Sequence, residues 1–120
     1  MANEINCSVT LSANKSGVSV SSSGSKSADM SGDQAITNVQ VIGTSAEAIV
    51  LGDVSTIGYV LFKNLDATNY VEIALDSGVS TQVFAKLLAG DMTLIKAKTA
   101  TMYALANTAN VNLLVTAIEL

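Results

Sequence analysis

From Gln34 to Leu120 short apolar runs recur about every ten residues, each closed by Gly, Asn, Asp or Ser, and none sustains the 3.6-residue repeat of an amphipathic helix. The runs are AITNVQVIG (35–43), SAEAIVL (45–51), GYVLFKN (58–64), NYVEIAL (69–75), STQVFAKL (80–87), MTLIKAK (92–98), TMYALAN (101–107) and NVNLLVTAIEL (110–120). Turn formers separate them at Gly52-Asp53, Asn64-Leu65-Asp66, Asp76-Ser77-Gly78, Gly90-Asp91 and Asn107 to Asn110. Such spacing predicts an all-β chain, a β-sandwich or jelly roll of about eight short antiparallel strands with an extended N-terminal arm. Helix competes for SAEAIVL and for TATMYALANTA, which are rich in good helix formers. Tyr103, Leu105 and Asn107 fit a period of two and favour strand in the second; the first stays open. In 35–43, Ile36 and Ile42 fall on one face and Val39 and Val41 on the other, so both faces of that strand are expected to be covered.

Residues 1–33 differ in kind, which divides the chain into an arm (1–33) and a β-sandwich domain (34–120). Ser, Gly, Ala and Asn dominate the arm, with single apolar residues at alternate positions: Ile5, Cys7, Val9 and Leu11, then Val18 and Val20. Asn14, Lys15, Ser16 and Gly17 between the two sets are turn formers, so a hairpin is one reading. A flexible Gly/Ser tail is another. The preferred reading is an arm ordered by strand addition to a neighbouring chain, with those six apolar residues as its partner-binding face.

Composition narrows the function. The 120-residue chain has no His, Arg, Trp or Pro, which removes the commonest general base, the bidentate phosphate fork and the best stacking platform. Six scattered lysines and a formal charge of -4 leave no basic patch for nucleic acid. No run approaches the roughly 18 apolar residues of a spanning helix, so no membrane partner is expected. MANEINCSVT shows no basic flank or apolar core of a secretory signal. Cys7 is alone, which excludes an intrachain disulfide and is expected to be an ordinary thiol. Hydrophobic residues at 49% against 13% charged imply apolar surface shared with another subunit.

Acidic residues are the only plentiful reactive groups. Asp66, Asp76 and Asp91 all fall in turns, where a carboxylate ordinarily bonds its own backbone. A two-carboxylate hydrolase would need a sugar cleft with aromatic platforms, and the aromatics are only Tyr59, Phe62, Tyr70, Phe84 and Tyr103. Asp29 and Asp33 lack the spacing of a calcium-binding EF-hand loop, although a surface Ca²⁺ on turn carboxylates stays open. The serines have no His, and Lys86 near Ser80 stands in no motif. No enzyme activity, cofactor or metal is therefore expected. Lys63, Lys86, Lys96 and Lys98 are placed inside strands, as solvent-facing guards of strand edges or as partners for acidic groups of another subunit.

The stretch GYVLFKNLDATNYVEIAL, followed by FAKLLAGDMTLIK and MYALANTANVNLLVTAIEL, resembles a pattern in small structural proteins of tailed bacteriophages. There a strand ending in KN leads into a D-x-T-N-Y/F-V-E turn and strand, then a FAKL-x-AG-D/E hairpin, then LYA-x-ANTA before a last strand. The resemblance covers about residues 57–120 and is carried by turn and strand formers. It implies a virion protein made in the host cytoplasm, of the head decoration (cement) type, that binds the major capsid protein on the capsid surface. A homo-oligomer is expected, a trimer favoured. Two alternatives stand beside it: a tail or fibre module, and a carbohydrate- or ligand-binding β-sandwich.

Overall fold

A computed structural model describes residues 4–52, 54 and 56–120. The chain is all-β, with no helix among the described residues, and its strands pair antiparallel. It divides into a unit that ends at Ser31 and a unit Gly32–Leu120.

The first unit is a hairpin. Strand β1 (Ile5–Lys15) pairs residue for residue with β2 (Val18–Ala28), from Ile5 opposite Ala28 to Lys15 opposite Val18. Its two-residue loop has φ of 45° at Ser16 and 88° at Gly17. Positive φ at both central positions is the turn whose twist matches that of the flanking strands, and glycine adopts it without penalty. The segment thus pairs with itself, in place of the flexible tail or the arm that needs a foreign strand to order it.

The second unit is a sandwich of two four-stranded sheets. The first holds, in order, β3 (Ala35–Ile42), β10 (Val111–Glu119), β5 (Ile57–Asn64) and β8 (Met92–Lys96). The second holds β4 (Glu47–Ala48), β9 (Tyr103–Ala106), β6 (Val71–Ala74) and β7 (Val83–Leu87). The chain crosses between sheets at 43–46, 65–70, 88–91, 97–102 and 107–110, and again between β4 and β5.

Alternation drives the packing. In β5 and β10 every second side chain is buried, which directs Val60 and Phe62 together with Val111, Leu113, Val115 and Ala117 onto Val71, Ile73, Ala104 and Ala106. Ile42, Ile49, Leu51, Val54, Ile57, Leu87 and Met102 complete this cluster, and it contains no residue before Ile36. Gly58 sits beside a bulge between Ile118 and Glu119, where a Cβ would approach the Ile118 carbonyl oxygen to 3.1 Å.

Asn64 ends β5 as a fully buried polar residue. Its Nδ2 donates to the carbonyl oxygens of Asn69 and Leu87, both at 2.9 Å, and its Oδ1 accepts from the Asp66 amide at 2.8 Å. Its own backbone bonds Asp91 and Gly90. One side chain thereby fastens two of the crossings at that end of the sandwich, 65–70 and 88–91.

Further sequence expectations change within the sandwich. SAEAIVL is neither a helix nor a full strand; it pairs with β9 only at Glu47 and Ala48. Gln40 reaches across from β3 to hold it, donating to Ala48 O and accepting from Val50 N, both at 2.9 Å. Lys98 lies beyond β8, which ends at Lys96. Val39 and Val41 are 47% and 54% exposed, so only the Ile36/Ile42 face of β3 is covered. The Gly52-Asp53 turn lies partly outside the described residues.

Candidate interaction surfaces

Register decides what the hairpin presents. Directly paired residues share a face, so Ile5, Cys7, Val9 and Leu11 of β1 lie on the same side as Val18 and Val20 of β2. All six residues singled out from the sequence share that side, because the two-residue turn preserves the alternation. The other side is Asn6, Ser8, Thr10, Ser12 and Asn14 against Ser27, Ser25, Ser23, Ser21 and Ser19. Ser27 Oγ donates to Asn6 Oδ1 there at 3.0 Å.

The six are not equivalent. Ile5 is buried and Cys7 half-buried, whereas Val9, Val18 and Val20 are more than half exposed and Leu11 is 73% exposed. The open apolar stripe is therefore Val9, Leu11, Val18 and Val20, towards the turn. Each strand also keeps one edge outside the two-stranded sheet, and the chain has no proline to block it.

The turn aspartates serve the backbone. Asp66 Oδ2 accepts from the amides of Asn69 at 2.7 Å and Thr68 at 3.0 Å, which lower its pKa. Asp76 holds the 76–82 turn, with Oδ2 on the Ser80 amide at 3.0 Å and Oδ1 on the Gln82 amide at 2.9 Å. The Ser80 amide above all, then those of Gln82 and Thr81, outweighs desolvation and brings Asp76 from 3.8 down to about 2. Asp91 Oδ2 accepts from the Leu88 amide at 2.9 Å.

A depressed carboxylate contributes stability above its unfolded pKa and loses it as pH falls through the folded value, here between about pH 4 and about pH 2. Asp76→Asn is therefore expected to melt below the wild type at pH 7, with the gap mostly closed at pH 2. Melting curves followed by circular dichroism at both pH values check this; an equal gap at both would remove the carboxylate charge as the cause.

Among the described residues no three His, Cys, Asp or Glu side chains gather where they could hold a metal. An open, apolar cavity of about 220 Å³ is lined by Leu75, Phe84, Ile95, Ala97 and Met102, with Lys96, Lys98 and Thr99 at its wall. Lys96 Nζ stands 5.5 Å from the Tyr59 ring centroid, and Lys86 Nζ stands 4.3 Å from that of Tyr70. Lys63 lies on the central strand β5, not at an edge. Phe62 is core, whereas Phe84 is 42% exposed.

What these surfaces offer is apolar side chains, satisfied turns and unpaired strand edges, an inventory for association. Compared with protein-family models, with curated proteins and with solved structures, the chain gives no match.

Proposed function

We propose that the chain is a structural subunit of a tailed-phage virion, a head decoration protein that binds the major capsid protein lattice through its hairpin and stabilises the shell. The observation that carries this reading is the hairpin. Its 11-residue strands extend roughly 35 Å at the usual rise per residue. None of its residues joins the core cluster, and it presents Val9, Leu11, Val18 and Val20 to solvent. An element that adds apolar area and strand edge without building the core is suited to bind another protein's sheet.

The resemblance over residues 57–120 supplies the kind of partner. A subunit that binds only the assembled lattice stabilises that state by mass action, and many copies multiply a small effect. The test is co-sedimentation of the purified chain with empty shells assembled from the major capsid protein of the same phage. Saturable binding and a higher shell disruption temperature are expected. No binding at micromolar concentration would refute the reading.

A further inference from the structure

The outer face of the β3-β10-β5-β8 sheet is apolar and uncovered. Leu114, Thr116 and Ile118 run down its middle on β10, with Val39 on one flank and Leu61 on the other. Val41 and Met92, at 54% and 60% exposed, extend the patch towards the two edges. No acidic residue occupies an outward position between Ala35 and Ile118 on these strands, and the only charges are Lys63 and Lys96. The hydroxyls of Thr37 and Thr116 lie 3.3 Å apart and bond each other.

We propose that this face packs against the same face of a second copy of the chain, giving a two-fold dimer. Two observations select a copy over a foreign protein. The central hydroxyls bond each other, which spends one of their two O–H donors within the face, and apart from Asn112, Lys63 and Lys96 towards its ends the rest is mainly apolar side chain, which an identical face complements. The area also fits. With about 4.8 Å between strands and about 6.7 Å between same-face neighbours, the outward positions tile roughly 450 Å². Side-chain relief raises the accessible area towards the roughly 600 Å² per partner at the lower end of stable pairs. Two apolar sheet faces stack about 10 Å apart with strands nearly aligned, an arrangement that a two-fold axis generates.

The second sheet is built differently outside, where Glu72 lies between Leu105 and Lys86, and Lys86 stands over Tyr70. That is a solvated face. The dimer proposal does not rest on the virion reading, and its test uses no capsid.

The test is sedimentation equilibrium of the full chain across roughly 1–100 µM, the range in which pairs of this size associate. The wild type is expected at twice the chain mass. Val39→Lys, at an exposed edge position that the fold tolerates, and Leu114→Arg, at the centre, should each weaken the pair at least about tenfold. Leu11→Arg on the hairpin should leave it unchanged. Should Leu114→Arg fail to fold, Val39→Lys decides. A wild-type monomer or trimer, a dimer indifferent to Val39→Lys, or a dimer dissolved by Leu11→Arg would each overturn the proposal; the last would move the interface to the hairpin.

Discussion

Asn64→Asp, the exchange of one buried NH₂ for an oxygen, is expected to destabilise the sandwich by about 3–5 kcal/mol at pH 7 and by far less at pH 4. In the native chain Nδ2 serves two carbonyl oxygens at 2.9 Å, those of Asn69 and Leu87. A carboxylate there would face both with no hydrogen to offer, in a site with no solvent exposure. Burial and the two carbonyls raise the folded pKa of the new acid above its unfolded value near 3.9. Stability is then retained below that unfolded value and lost as pH rises through the folded one. Urea unfolding at pH 4 and pH 7 reads the difference. Asn64→Leu, which lacks a titrating group, should lose stability equally at both. A pH-independent loss for Asn64→Asp would mean that the amide does not hold the two crossings together.

Phe62→Ala carries the second large effect. Phe62 is fully buried between the sheets, and truncating such a ring costs about 3–5 kcal/mol in transfer and cavity terms. For a domain of this size that is a fall of roughly 15–30 °C in melting temperature. The neighbouring Leu61→Ala, on the outward side of the same strand, should cost less than about 1.5 kcal/mol in the free subunit. Thermal melts of the pair test the alternation of β5 directly. A larger loss for Leu61→Ala would place the strand one residue out of register, and comparable losses would mean that both of its faces are covered.

The sandwich was legible in the sequence where burial follows a period of two. β5 and β10 carry that period through Gly58–Asn64 and Val111–Ile118 and lie where GYVLFKN and NVNLLVTAIEL predict them. Strands came out shorter where flanking turns claimed their ends. STQVFAKL forms a strand only from Val83, because Ser80, Thr81 and Gln82 donate their amides to the Asp76 carboxylate. SAEAIVL was undecidable locally, since what holds it is Gln40, at the far side of a sheet crossing.

The arm's apolar spacing was visible, but spacing alone favoured a foreign strand and left the hairpin and the tail standing beside it. Positive φ at Ser16 and Gly17 decides between them and brings both apolar sets to one side. Nothing in the sequence showed that Ile5 would be buried while Leu11 stays open. The uncovered β3 face was missed for the opposite reason. Val39 and Val41 are as apolar as core residues, and no single strand states which of its faces the chain itself will cover.

The central claim is that folding and attachment are separate: residues 34–120 build the core and the hairpin makes the attachment. A chain beginning at Gln34 measures both at once. The account predicts a cooperative melt within a few degrees of the full chain, together with loss of binding to capsid shells that the full chain decorates. Unfolding or aggregation of the truncated chain would make the hairpin part of the fold, and undiminished binding would contradict the attachment role.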